Sequence, residues 1–234
     1  MNKLDDKKLR FYEKAHTYWY GKQKLQSVTQ FVHSFFEPFK AREIARKLAK
    51  FPVNKRRRMG VRFFLQKWAD SASHGTKVHK EIEDFINGSI GTIGEEIEPK
   101  TEQAIDFITE YLLTNKIVKG RTEQKVFSAE LGLAGTIDWM TVFEDGSFDL
   151  IDWKTNEKLT SEGYKGKKGI HEVTKEVDDC HLTKYGLQLS MYAYILEKYY
   201  GLKCRNLIIV HLKEDEYHDI VVPYEKELVE EMLK

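Results

Sequence analysis

The chain has 234 residues, 41% of them apolar and 12% aromatic, enough for one sizeable packed core. Two cysteines, Cys180 and Cys204, cannot build a four-cysteine zinc or iron–sulfur site, and no apolar run is long enough to span a bilayer. The formal charge of +1 selects no partner, and the polar first ten residues, with Asp5 and Asp6, read as a soluble intracellular protein without a signal core or transit peptide.

Residues 16–20 and 24–29 flank Gly21 and predict a short hairpin. Residues 30–70 read as mainly helical, interrupted near Pro52-Val53-Asn54. This stretch is also the most basic. Between Lys40 and Lys67, Lys40, Arg42, Arg46, Lys47, Lys50, Lys55, Arg56, Arg57, Arg58, Arg62 and Lys67 face only Glu43. Glu95, Glu96, Glu98, Glu102, Asp106 and Glu110 offset them further along, so a neutral total hides a polarised chain. Phe39, Phe51, Phe63, Phe64 and Trp68 interleave with the basic residues. Such a pattern suits phosphate binding with aromatics stacked on unpaired bases, and equally an amphipathic helix pair whose aromatics form a core. Lys55, Arg56, Arg57, Arg58 and Arg62 are the nucleic-acid-binding candidates.

Ser71 or Ser73 is placed to cap a helix running to Asn87 with Gly88 as its stop, and residues 100–114 suggest another. The period then changes to that of strands at residues 122–128, 133–143 and 147–153. Residues 156–182 are polar, contain Gly163, Gly166 and Gly169, and read as a long mobile loop whose Lys167 and Lys168 are further candidates for substrate contact. Residues 182–200 predict a strong helix ended by Gly201, and residues 206–212 and 219–222 two closing strands. The order predicts an α/β sheet core flanked by helices. Residues 1–70 would form an N-terminal hairpin and basic helical region, and residues 71–234 the core, within one compact unit.

The most informative stretch is Gly135-Thr136-Ile137-Asp138 followed by Ile151-Asp152-Trp153-Lys154. Strand side chains alternate between faces, so Asp152 and Lys154 point the same way. If Glu144-Asp145-Gly146 forms a three-residue loop with a left-handed glycine, Phe143 pairs with Ser147 and Asp138 falls opposite Asp152. A two-residue Asp145-Gly146 loop would shift the pairing by one and separate them. Two carboxylates among Ile137, Trp139, Leu150, Ile151 and Trp153 need a partner. A hard cation such as Mg²⁺ is a natural one, with the Trp153 carbonyl completing its shell, and such an ion can orient a phosphodiester and activate water. The competing reading is a surface hairpin carrying one Asp–Lys pair.

Gly135-x-x-Asp138, Asp152-x-Lys154 and Gln188-x-x-x-Tyr192, with Gly75-Thr76-Lys77-Val78-His79 and Glu83 upstream, together resemble the RecB-type branch of the PD-(D/E)XK nucleases. Ser27-Val28-Thr29 resembles the subgroup holding mitochondrial genome maintenance exonuclease and related phage exonucleases. Ile137 stands where the proline of the superfamily name would be. The resemblance implies a restriction-endonuclease-like mixed sheet and metal ligation by His79, Asp138 and Asp152, with Mg²⁺ as cofactor and Mn²⁺ substituting. It implies that Lys154 acts on water or transition-state charge. Gln188 and Tyr192 would orient the lysine and nearby backbone, and Glu123 would be a further site acid. The activity implied is a DNA exonuclease preferring single-stranded ends, in replication, repair, recombination or phage DNA processing. A structure-specific or restriction-type endonuclease and a non-catalytic nucleic-acid-binding subunit are the rivals. Locally, Val78, Ile82, Phe85 and Ile86 form an apolar helix stripe with His79 at its edge. Gln188 and Tyr192 sit one turn apart on an otherwise apolar helix and need partners.

Overall fold

The computed structural model describes residues 4–15, 17–89 and 97–234; His16, Glu95 and Glu96, named above, lie outside them. Among the described residues the strands are β1 (Leu9–Tyr12), β2 (Thr17–Tyr20), β3 (Gln23–Ser27), β4 (Ile117–Ser128), β5 (Leu133–Phe143), β6 (Ser147–Lys154), β7 (Lys203–Leu212) and β8 (Tyr217–Val222). The helices are α1 (Val28–Ser34), α2 (Ala41–Ala49), α3 (Pro52–Arg56), α4 (Val61–Ile86), α5 (Pro99–Thr114), α6 (His181–Tyr200) and α7 (Lys226–Met232). The strands form one mixed sheet in the order β1-β2-β3-β5-β6-β7-β8, with β4 pairing on β5. No described helix is long and apolar enough to cross a membrane.

Strand β5 organises the sheet. Along one edge it pairs antiparallel with β4 from Phe143 to Leu133. Its other partner changes along its length. Its first residues pair in parallel with β3 (Gln26↔Leu133, Ser27↔Ala134), and its end pairs antiparallel with β6 (Trp139↔Ile151 to Val142↔Phe148). The sheet therefore forks between Ala134 and Trp139, where Gly135 and Asp138 sit. Strand β6 and the second half of β7 are buried on both faces, and their alternating side chains feed two cores. One packs Leu150, Phe148, Leu207 and Ile209 against α1, α6 and α7. The other packs Trp139, Ile151, Trp153, Ile208 and Val210 against α4 and α5.

Several local expectations change. Helix α4 does not begin at Ser71 or Ser73; it starts at Val61, with Gly60 at its N-cap, and crosses residue 70 without a break. The reason is one continuous buried stripe: Phe64, Val78 and Ile82 stay on a single face because Phe64 and Val78 are about four turns apart. Pro52 opens α3 rather than interrupting a helix, since its missing N–H is no loss in a first turn. Strand β3 stops at Ser27, whose hydroxyl accepts from the Gln30 N–H and so starts α1 at Val28. Strand β4 begins at Ile117, ahead of the predicted residue 122. Strand β1 and helix α7 carried no period that announced them. Residues 156–182 are not a free loop. The Ile170 N–H donates to the Phe35 carbonyl, Gly169 N–H to the Val177 carbonyl, and Gly163 N–H to Asp178 Oδ1.

Candidate active site

The β5–β6 turn has the longer form. Gly146 adopts φ 77°, its N–H donates to the Phe143 carbonyl, and the register Val142↔Phe148 puts Asp138 opposite Asp152. The two strands diverge just there. In place of the next ladder bond, the Trp153 N–H donates to Asp138 Oδ2 at 3.0 Å, so the carboxylate bridges the opening fork. Lys154, two residues beyond Asp152, puts its Nζ 2.5 Å from Asp152 Oδ2. That approach is not a directed hydrogen bond, and no other donor reaches this buried oxygen.

Helix α4 brings His79 across from the other layer, with Nδ1 3.5 Å from Asp138 Oδ2. Its entry depends on Gly75. A Cβ there would stand 2.9 Å from Thr155 Oγ1, so the glycine lets α4 lie against the chain leaving β6. Glu123 occupies the β4 position facing Asp138, between the pairs Thr122↔Trp139 and Gln124↔Ile137, with a left-handed φ of 47°. Although its side chain stays open to solvent, burial against the site wall and then the charges of Asp138 and Glu83 push its carboxyl up to about 7. Glu83 itself accepts from Lys80 at 3.0 Å. Burial also raises Asp152, reinforced by Asp138 and opposed by Lys154. Burial lowers Lys154, but Asp152, Asp138 and Tyr185 outweigh it and hold the ammonium above its ordinary value.

Gln188 and Tyr192 lie in this neighbourhood but hold other groups. Thr29 Oγ donates to Gln188 Oε1 at 3.2 Å, which ties the Ser27-Val28-Thr29 segment to α6. Tyr192 is buried against Gly135, where a Cβ would come within 2.6 Å of its hydroxyl oxygen. Among the described residues no hydrogen bond joins either side chain to Lys154. Tyr185 meets it instead, its ring centroid 4.3 Å from Nζ. Sequence reasoning passed over Tyr185; its only signal was a place one turn before Gln188 on the same helix.

Above the fork is an open cleft of about 910 Å³. His79, Asp138, Glu123, Gln188 and Tyr192 line it together with Trp68, Gly75 and Thr136, whereas Asp152 and Lys154 do not line it and are nearly closed from solvent. Lys55, Arg56, Arg57, Arg58 and Arg62 are exposed and have no ion pair among the described residues. Phe39, Phe51 and Phe63 beside them are exposed as well, whereas Phe64 is buried, so the basic region is neither wholly core nor wholly surface. Lys167 and Lys168 differ from that group, for they already pair with Glu37 and Asp178.

A cation's fit follows from these donors. Carboxylate oxygens and one imidazole suit a hard divalent ion, and Asp152 Oδ2, buried with the Lys154 ammonium as its close partner, is an acceptor of the kind such an ion fills. Among the described residues no three acid, histidine or cysteine side chains yet converge into a finished cage. The Lys154 ammonium stands against Asp152 instead. Asp149, on the same strand, gives the contrast: it is fully buried but accepts from Tyr111, Arg205 and Asn206 and needs no ion.

Residues 10–234 match the family described as a PDDEXK-like domain of unknown function (DUF3799). The chain belongs to that family. No curated protein matches this chain. Among solved structures it is similar to a "Putative exonuclease" from Eubacterium rectale, with 18% identity and a TM-score of 0.36, over 68% of this chain and 60% of that one. It thus spans less than two thirds of that protein. It is also similar to SSO0001, with 14% identity and a TM-score of 0.28, over 69% of this chain and 83% of that one. Likeness at that level carries no part of the argument for this PDDEXK-like chain.

Proposed function

We propose that the protein is a metal-dependent deoxyribonuclease of the RecB-type branch, an exonuclease acting on single-stranded DNA ends. The observation that carries the reading is the fork itself: Asp138 and His79 line an open cleft, and Asp138 faces buried Asp152 on the next strand, with Lys154 against it. A purely nucleic-acid-binding protein gains nothing from clustered acids beside a polyanion. His79, Asp138, Asp152 and the Trp153 carbonyl would hold Mg²⁺, with Mn²⁺ substituting. When bound, the ion supplies charge neutralisation at the phosphodiester and makes a nearby water more acidic.

The protein's own groups do the rest. Asp138 keeps the two strands apart yet joined, through the Trp153 N–H, so the carboxylates stay in register. Lys154, whose ammonium lies against Asp152 and the Tyr185 ring, would orient the attacking water or meet the developing phosphate charge. Gln188 and Tyr192 brace the cleft wall through Thr29 and Gly135. The exposed Lys55–Arg58 cluster holds the DNA backbone.

The test is a time course on end-labelled linear DNA with Mg²⁺, run beside a covalently closed single-stranded circle. Linear single strands should shorten from their ends, the circle should survive, and chelator should stop the reaction. Asp152→Asn and Lys154→Ala should each lower turnover by about a hundredfold or more while leaving the fold intact. Cleavage undiminished in excess chelator would remove the mechanism, and efficient cutting of the circle would make the enzyme an endonuclease.

A further inference from the structure

The Lys154 ammonium is the least constrained part of the site by covalent means, being the end of a flexible four-carbon stem. Two contacts fix it. Asp152 lies on one approach, and the Tyr185 ring centroid is 4.3 Å away on another. The lysine side chain is only 14% exposed, so its attraction to the ring is little screened. Tyr185 is itself held in place. Its hydroxyl donates to Asn156 Oδ1 at 3.2 Å, and its ring runs parallel to that of His181, 9° between planes. The chain just beyond Lys154 is pinned from the far side: buried His211 donates from Nε2 to the Asn156 carbonyl at 2.7 Å, and Lys100 donates to the Thr155 carbonyl at 3.0 Å.

We propose that Tyr185 is the positioning residue for Lys154, its ring face holding the ammonium above the fork while its hydroxyl locks that ring to Asn156. The inference rests on the nuclease reading of the same site. Asp152 alone would leave Nζ free to turn about a single contact, and the ring is the second contact that keeps it from swinging away. Tyr185 touches no reacting atom in this scheme, so its loss lowers the rate of the chemical step and leaves DNA capture unchanged.

The experiment compares full-length wild type, Tyr185→Leu and Tyr185→Phe. It measures kcat and KM on linear single-stranded DNA in Mg²⁺, and binding of the same labelled strand in chelator. Tyr185→Leu should lower kcat at least about tenfold with KM and affinity within about twofold of wild type. Tyr185→Phe keeps the ring and should retain kcat within about threefold. Should the leucine variant melt below the assay temperature, Tyr185→Met repeats the comparison with an unbranched apolar side chain. A leucine or methionine variant with wild-type kcat overturns the proposal, as does a phenylalanine variant that falls as far as they do. Failure of wild type itself to cleave would instead overturn the nuclease reading.

Discussion

Gly135→Ala perturbs the site without touching a charged residue. The added Cβ would lie within 2.6 Å of the Tyr192 hydroxyl oxygen and 2.8 Å of ring Cζ, with Cε1 closer still. Tyr192 is only 2% exposed, so either its ring must move toward the cleft it borders or β5 or α6 must shift. Overpacking of this kind costs about 1–3 kcal/mol. Against it stands the smaller unfolded-state entropy of alanine, about 0.4–1 kcal/mol of stabilisation. The net is a loss of up to about 2.6 kcal/mol. For a chain of this size each kcal/mol moves Tm by about 2–4 °C, so Tm should fall by up to about 10 °C. Because Asp138 follows on the same strand, cleavage should fall as well. Thermal melts of Gly135→Ala, Tyr192→Leu and the double variant form the assay. The double variant should lose less than the sum of the singles by about 1 kcal/mol or more, since leucine clears the ring from the new methyl. Strict additivity, or a Gly135→Ala protein with wild-type Tm and turnover, would refute the close contact as the reason for the glycine.

Two further outcomes concern the acids and the basic region. Folded Asp152 and Glu123 hold protons more tightly than unfolded carboxylates. The contribution of these two acids to the stability of the metal-free protein should therefore be fully present below about pH 4 and fall as pH rises toward 7, the reverse of an ordinary salt-bridged aspartate. Saturating Mg²⁺ should reverse the trend, adding about 2.7 kcal/mol at a hundredfold excess over Kd, or about 5–10 °C in Tm. Asp138→Asn should abolish that gain and His79→Ala reduce it; a melt insensitive to Mg²⁺ across this pH range would mean the acids serve no ion. Replacing Arg56, Arg57 and Arg58 together should weaken single-strand binding at low salt and flatten the log–log salt slope by about 0.7 per lost phosphate contact, leaving the Mg²⁺ shift in Tm intact. An unchanged slope would return the cluster to a solvated face.

How much of this was legible beforehand depends on the range of the interaction involved. Strand alternation is local, so the shared face of Asp152 and Lys154 could be read directly, whereas Glu144-Asp145-Gly146 left two loop lengths open and only the register decided that Asp138 faces Asp152. Helix α6 and its glycine stop were equally plain, because the apolar run and the left-handed cap lie within one segment. The start of α4 was not. Ser71 and Ser73 have the chemistry of caps, but burial of Phe64 in the same stripe as Val78 and Ile82 outweighs a cap worth about 1 kcal/mol. The long segment after β6 failed for a related reason. Its polar, glycine-rich composition says nothing of the Phe35 carbonyl that accepts from Ile170.

The amino-acid sequence by itself determined the chemical set, two aspartates and a lysine on adjoining strands with a histidine on a helix, because residue identity and strand period need no distant partner. Only the tertiary structure decided what each member touches. The exchange of β3 for β6 along β5 opens the fork; Gly135 and Gly75 are required by a tyrosine and a threonine far away in sequence; and Tyr185, not Gln188 or Tyr192, reaches the lysine. Those are contacts between segments, set by how two cores close on one sheet, and no periodicity within a segment encodes them.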